Sequence, residues 1–308
     1  MALKNKLIIV TGGAGFIGSH IVDALSPAND VIVLDDFSSG KRENLLGASG
    51  VKVLKGSVTK PRLLKLLFRD ADYVFHLAAR PSVPASVRDP KGSSLVNLGG
   101  TLNVLMAAHE AGVKKVIFSS SCAVYGDARP PVSEMAHLAP KSPYAIQKLG
   151  SEHYCRIFHD VYGMRTVCLR YFNVFGPRQD PASQYAAVIP VFFRDLAAKG
   201  SVTIYGDGKQ TRDFIFVDDV VKVNILAAEN SAADGNVLNI ATGKGTGILD
   251  LAGAIAKIVG KPLKVKNSPA RDGDILHSRA DVSLAKKLLG FRPKTELSRG
   301  LRIFSTSI

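Results

Sequence analysis

The stretch "TGGAGFIG", residues Thr11 to Gly18, stands between a short apolar run and a helical pattern. Gly12 permits a tight turn, Gly15 lets the backbone approach a pyrophosphate, and Gly18 allows a helix to pack closely on a sheet. Phosphates then sit at the helix N-terminus, where unpaired N–H groups point outward. Glycine loops also occur as plain turns, so the context decides. Here the triplet lies between strand and helix, and the next β-branched run ends in Asp35. A carboxylate there accepts the hydroxyls of an adenosine ribose and repels the extra phosphate of NADP, which predicts NAD as cofactor. Lys41 and Arg42 are the opposing feature, because a nearby cation can hold a 2′-phosphate.

Outward from this loop, β-branched runs at 7–10, 31–34, 51–54, 73–76, 116–119 and 166–169 alternate with helical patterns at 16–25, 62–68, 95–111 and 144–161. The alternation predicts an α/β fold, a doubly wound parallel (Rossmann) sheet with helices on both faces and its ligand beyond the carboxyl ends of the strands. Leu95, Leu98, Leu102, Leu105 and Met106 form a helical stripe expected to face the core. After Arg170 the texture changes to a loop rich in Gly, Pro, Asp and Gln. Smaller elements follow: a helix at 189–198, a strand at 202–205, the turn Gly206-Asp207-Gly208, a helix at 249–259 and a last short helix at 284–289. The expected organisation is a NAD-binding Rossmann domain at 1–172, with 209–242 returning to it, and a smaller C-terminal substrate-binding lobe across 173–308.

The chain has 308 residues, 46% apolar and 21% charged, the balance of a globular protein. The apolar run at 7–10 is too short for a signal-peptide core, and no run approaches the roughly 20 residues of a membrane span, so a cytoplasmic location and no membrane partner are expected. Cys122, Cys155 and Cys168 show no metal-type spacing and make an odd count, which argues against both a metal site and a disulfide framework. The net charge of +14 is scattered in short pairs such as Lys114-Lys115, a pattern that fits anionic small molecules better than nucleic acid.

A second signature lies in "SPYAIQKL", where Tyr144 and Lys148 share one helix face. Such pairs are common on solvated helices. Tyrosine alone is a poor base, but a neighbouring ammonium and an oxidised nicotinamide would lower its pKa. The run Ser119-Ser120-Ser121 ends the fifth strand, where a ligand belongs, and a hydroxyl there can bond both substrate and tyrosine.

Taken together, "TGGAGFIG", "HLAARPSV", "SSSCAVYG", "YAIQK", "RYFNVFGPRQDP", "GDGKQTRDFIFVDDV" and "RDGDILHSRAD" resemble the extended short-chain dehydrogenase/reductases, specifically the nucleotide-sugar epimerases and dehydratases. The resemblance runs from residue 11 to 281. It implies Tyr144 as catalytic base, Lys148 as its partner and ligand of the nicotinamide ribose, and Ser121 as third member. It places Phe16 and Ile17 in the cofactor loop, Ala78, Ala79 and Arg80 along the cofactor phosphates and ribose, and Asn97 in support of the site. His76 is expected to stay structural. For a UDP-sugar it implies Asn173 toward the diphosphate, Val188, Ile189 and Pro190 around uracil, and Arg212, Arg271 and Asp274 as a clamp on pyrophosphate and ribose. Guanidinium forks suit a diphosphate on chemical grounds also. Relatives pair the helices at 95–111 and 144–161 into a homodimer.

Related dehydratases carry an Asp-Glu pair directly after the active-site hydroxyl, and here those positions are Cys122 and Ala123. Hydride removal and return remains, which implies an isomerase, a UDP-hexose 4-epimerase acting on UDP-glucose and UDP-galactose through a 4-keto intermediate. Ser278 is small where the resemblance limits room around C2, so UDP-GlcNAc/UDP-GalNAc is an alternative, with UDP-glucuronate third. A dinucleotide-binding regulatory protein is the non-enzyme alternative. Two features depart from the family. Ser57, followed by Val58, replaces an aspartate that meets the adenine amino group, and the C-terminus "FSTSI" lacks the usual longer final helix.

Overall fold

The computed structural model describes residues 3–180, 187–269 and 275–308. Seven parallel strands form the central sheet: β1 Leu7–Thr11, β2 Asp30–Asp35, β3 Lys52–Lys55, β4 Tyr73–His76, β5 Lys115–Ser121, β6 Thr166–Tyr171 and Val237–Ile240. Their spatial order is Val237–Ile240, β6, β5, β4, β1, β2, β3. The order reverses between β1 and β4, so the loops after these two strands open a crevice there, the place where such sheets bind ligands. β1 reads Leu-Ile-Ile-Val-Thr and is buried almost throughout, because helices cover both faces of the sheet.

The crossover helices are α1 Phe16–Leu25, α2 Pro61–Leu67, α3 Val83–Arg88, α4 Pro90–Ser94, α5 Gly100–Glu110 and α6 Pro143–Asp160. A π-helical turn, Leu95–Gly99, joins α4 to α5. The expected core stripe holds at Leu105 and Leu102 and breaks at its two ends. Leu95 is 63% exposed and Met106 49%, while the buried face holds Asn97, Thr101, Val104, Leu105 and Ala108. A π turn inserts an extra residue and rotates the faces on its two sides relative to one another, so one regular period cannot run through both.

Beyond β6 come β7 Asn173–Phe175, α7 Val188–Lys199, β8 Val202–Tyr205, β9 Thr211–Arg212, β10 Phe214–Phe216 and α8 Val217–Glu229. The seventh sheet strand, Val237–Ile240, is β11, followed by β12 Thr246–Gly247, α9 Ile248–Val259, β13 Val265–Ser268, α10 Ser283–Leu289 and α11 Leu297–Ser305. β7 pairs with β10, β8 with β13 and β9 with β12, three small ribbons outside the main sheet. A separate apolar cluster of Phe192, Phe193, Leu196, Leu251, Ile255, Leu301 and Phe304 holds α7, α9 and α11 together. The helix at 284–289 is therefore not the last. α11 follows it and buries Leu301 and Phe304 completely, which ties it to the α7–α9 cluster.

No helix among the described residues is long and apolar enough to cross a membrane.

Candidate active site

The cofactor end is built on glycine. Gly12 has φ +72°, and a Cβ on it would lie 2.6 Å from the backbone nitrogen of Ala78. A Cβ on Gly18 would meet the carbonyl oxygen of Gly12, whereas one on Gly15 would stand 3.2 Å from that atom. Gly12 and Gly18 thus close the loop against β4 and α1, and Gly15 caps α1 with no side chain of its own. The N–H groups of the first turn face outward from a surface without side chains, which fits a dinucleotide pyrophosphate. Phe16 and Ile17 start the helix and pack toward the apolar cluster around α7 and α9.

Asp35 ends β2 and is 7% exposed. Its carboxylate accepts the Ala14 N–H at 2.9 Å and the Phe37 N–H at 2.8 Å. Burial pushes its pKa up, and the two N–H groups oppose that. Each oxygen keeps a lone pair for a ribose hydroxyl. The two cations that could have served a 2′-phosphate have partners: Lys41 pairs with Asp180 at 2.9 Å, and the Arg42 guanidinium lies 4.8 Å over the Phe37 ring. Ser57 accepts the Thr59 N–H at 3.3 Å and meets its hydroxyl at 3.0 Å, and the buried Val58 accepts from Asn103 through its carbonyl.

Ala78, Ala79 and Arg80 leave β4 beside the glycine loop. Asn97 holds them there: its Oδ1 accepts the Arg80 N–H at 2.7 Å, and its Nδ2 donates to the Arg80 carbonyl at 3.1 Å and to Gln147 at 2.7 Å. The amide is fully engaged, so Asn97 acts on the loop and has no donor left for a ligand. His76 bridges the hydroxyls of Thr11 and Thr101 at 2.7 and 3.0 Å. Burial and the Lys148 charge push its pKa down to about 3, which keeps it neutral and structural.

The chemical end joins β5 to α6. Ser142 and Pro143 start α6, the Ser142 hydroxyl accepting the Ala145 N–H at 3.2 Å, so Tyr144 enters one residue into the helix. Ser121 ends β5, accepts the Ala123 N–H at 3.2 Å and lies close enough to the Tyr144 phenol to pull its pKa down. Lys148, 3% exposed, donates to the Ser119 carbonyl at 2.6 Å and lies 5.9 Å from the Tyr144 ring centroid. The three residues expected to act together therefore meet at the carboxyl end of β5.

Without the nicotinamide, burial dominates the electrostatics of the site. Burial drives the Tyr144 phenol up to about 12, and the Ser121 hydroxyl only partly offsets this. Burial likewise drives Lys148 down to about 8, against the Glu152 carboxylate one turn away. In the protein alone, desolvation outweighs the Ser121 hydroxyl and the phenol holds its proton; an oxidised nicotinamide would add positive charge that favours the phenolate.

Toward the substrate, a cavity of about 330 Å³ is lined by Asn173, Val188, Ile189 and Arg212 among the expected residues. Pro190 is buried in the first turn of α7 instead. Ser278 is half-buried and donates its N–H to the Thr211 carbonyl at 3.0 Å, beside Arg212. Arg271 and Asp274 lie outside the described residues. Thr203, Tyr205, Gln179 and Gln210 also line the cavity and were not anticipated. The sequence did carry a sign of Tyr205, an aromatic at a strand end directly before the Gly206-Asp207-Gly208 turn. Arg212 lies close enough to Cys122 for its charge to act on the thiol, which links this cavity to the Ser121 end of the crevice. Burial pushes Cys122 up to about 12, so it holds its proton at neutral pH.

Comparison with known proteins assigns the chain to a family. The profile of the "NAD dependent epimerase/dehydratase family" matches residues 8–241. The chain belongs to that family. A curated relative, the UDP-glucose 4-epimerase of Mycolicibacterium smegmatis, is 40% identical over 300 residues, 95% of each chain. Among solved structures, UDP-N-acetylglucosamine 4-epimerase from Methanobrevibacter ruminantium M1, in complex with UDP-N-acetylmuramic acid, is similar at TM-score 0.95 and 44% identity, covering 99% of this chain and 98% of that one. UDP-glucose 4-epimerase from Thermotoga maritima, with UDP-glucose, is similar at TM-score 0.93 and 40% identity, covering 98% of each chain. As a member of an NAD-dependent epimerase/dehydratase family, the protein takes NAD as its cofactor.

Proposed function

We propose that the protein is a UDP-hexose 4-epimerase, an isomerase that interconverts UDP-glucose and UDP-galactose. The observation that supports it most is the meeting of Ser121, Tyr144 and Lys148 at the end of β5, followed by Cys122 and Ala123. The first three can move a proton at a sugar hydroxyl. The next two offer no acid–base pair for water elimination, since the Cys122 thiol stays protonated and alanine has nothing to give.

NAD, when bound, would supply a hydride acceptor and donor for C4 of the sugar, with the 4-keto sugar between the two transfers. The chain does the rest. Ser121 holds the C4 oxygen and the Tyr144 phenol in one hydrogen-bonded set, Tyr144 takes and returns the hydroxyl proton, and Lys148 keeps positive charge near the phenolate. Arg212 and Asn173 receive the diphosphate, with Arg271 and Asp274 as further clamp residues, and the apolar wall of Val188 and Ile189 receives the uracil.

A second reading concerns the sugar. Ser278 leaves room at C2, and the Methanobrevibacter ruminantium protein, 44% identical, is a UDP-N-acetylglucosamine 4-epimerase. UDP-GlcNAc and UDP-GalNAc are therefore the alternative pair.

The reading includes a NAD-binding part at 1–172 with 209–242, supported by β11 on the main sheet and α8 packed against α1, and a UDP-sugar part in the remainder. It also includes a homodimer. Leu95 and Met106, with Ile146, Ile157, Val161 and Tyr162 of the α6 region, leave large apolar side chains exposed on adjoining helices. Three free cysteines suit a reducing cytoplasm.

A proton NMR time course with UDP-galactose, and separately with UDP-GalNAc, tests the function. Appearance of the C4 epimer is expected for at least one. Failure with both, while NAD is bound, would overturn the epimerase reading.

A further inference from the structure

Asp213 is fully buried between Arg212 and β10. Its Oδ1 accepts the Thr242 N–H at 2.8 Å and the Thr242 hydroxyl at 2.6 Å. Its Oδ2 accepts the Gly243 N–H at 2.9 Å and the Ala280 N–H at 3.2 Å. All four of these donors are neutral, and they come from two separate segments, one following β11 and one leading into α10. A third segment joins through the backbone: the Asp213 carbonyl accepts both the N–H of Asn173 at 3.1 Å and its side-chain amide at 3.2 Å.

These segments are the ones that present the substrate residues. Asn173 and Arg212 line the 330 Å³ cavity. Ser278 stands two positions before Ala280, and its stretch runs beside β9 through Ser278 N–H to the Thr211 carbonyl at 3.0 Å and Thr211 N–H to the Leu276 carbonyl at 2.9 Å. One residue thus ties the Asn173 and Arg212 walls of the cavity to the stretch that carries Ser278. None of its bonds reaches the Ser121–Tyr144–Lys148 set or the glycine loop.

We propose that Asp213 is the positioning residue of the nucleotide-sugar site, an acceptor hub that holds Asn173, Arg212 and Ser278 in register without touching substrate. The role needs a carboxylate. An amide in its place presents N–H toward at least one N–H donor, leaving a buried donor unpaired. The inference rests on the UDP-sugar reading given above.

The test uses the NAD-loaded protein with UDP as probe, by titration calorimetry, and turnover of UDP-galactose. Asp213→Asn is expected to weaken UDP binding by about 10-fold or more and to raise KM in parallel, by the loss of one or more buried hydrogen bonds. It leaves kcat within about 3-fold and NAD affinity unchanged, because interactions lost equally from bound substrate and transition state alter KM alone. Thr242→Val removes only the hydroxyl donor and is expected to give a smaller loss of UDP affinity with the same signature. A folded Asp213→Asn protein that binds UDP as the wild type does would overturn the inference, as would a fall in kcat with UDP affinity intact. Should Asp213→Asn fail to fold, Thr242→Val decides, and unchanged UDP affinity there overturns it. Wild-type protein that binds NAD but neither UDP nor UDP-galactose would instead overturn the UDP-sugar reading itself.

Discussion

The Lys148 ammonium is bonded to the carbonyl of Ser119 at 2.6 Å, two residues before Ser121 on the same strand. The bond ties the middle of α6 to the end of β5 and so sets the Ser121–Tyr144 contact. It also keeps a cation in a dry site, 3% exposed, whose burial lowers its pKa to about 8.

Lys148→Met should abolish turnover yet stabilise the fold at neutral pH. Because the folded pKa lies below the ordinary lysine value of 10.5, the unfolded chain holds the proton between about 8 and 10.5 and the folded chain does not. Wild-type stability therefore rises with pH across that window, and below it the burial cost, at most about 3 kcal/mol, is present in full. The melting temperature of the variant should exceed that of the wild type at pH 7, and the gap should narrow by pH 9.5. An equal gap at both values would sink this account of Lys148.

Glu152 and Arg170 form a buried pair beneath the site, with a two-point contact at 2.8 and 2.6 Å, and the Ser120 hydroxyl adds a bond to Glu152 at 2.5 Å. Glu152→Gln leaves the Arg170 charge uncompensated and should cost about 3–5 kcal/mol in denaturant unfolding. The double change Glu152→Gln with Arg170→Met should recover a large part of it; no recovery would mean that packing, not charge, is at stake.

Gly12→Ala forces a side chain into φ +72° and toward the Ala78 nitrogen 2.6 Å away. Loop strain of this kind costs about 1–3 kcal/mol, and the displaced backbone should lower NAD affinity as well. Fluorescence titration with NADH would show it. Wild-type affinity in this variant would contradict the cradle assigned to the loop.

Leu95→Glu and Ile157→Glu alter side chains that are 63% and 47% exposed. If α5 and α6 form the dimer face, light scattering should find a dimer for the wild type and a monomer for the double variant, with circular dichroism unchanged. A wild-type monomer would remove the dimer from the account.

The sheet was legible because its central strands are buried on both faces and read as short β-branched runs, and the glycine loop because no other residue fits Gly12 or Gly18. Ser121, Tyr144 and Lys148 could be read as a set because strand end and helix start are both marked in sequence, the latter by Ser142-Pro143. The exposed Leu95 and Met106 were misjudged because nothing in a hydrophobic pattern announces the π turn at Leu95–Gly99. The rise of the Tyr144 pKa in the protein alone was not legible, because desolvation depends on how completely the site closes. Asp213 escaped notice because its partners Thr242, Gly243 and Ala280 are distant in sequence and donate through groups that most residues possess. α11 was missed because its buried Leu301 and Phe304 are only two anchors in a short, polar stretch.

The central claim is that one hydride leaves and returns to C4 while Tyr144 shuttles the hydroxyl proton. The direct measurement is mass and NMR analysis of the product made in ordinary water from UDP-galactose deuterated at C4. The account predicts UDP-glucose with the deuterium still at C4. Product carrying solvent hydrogen at C4 would contradict it.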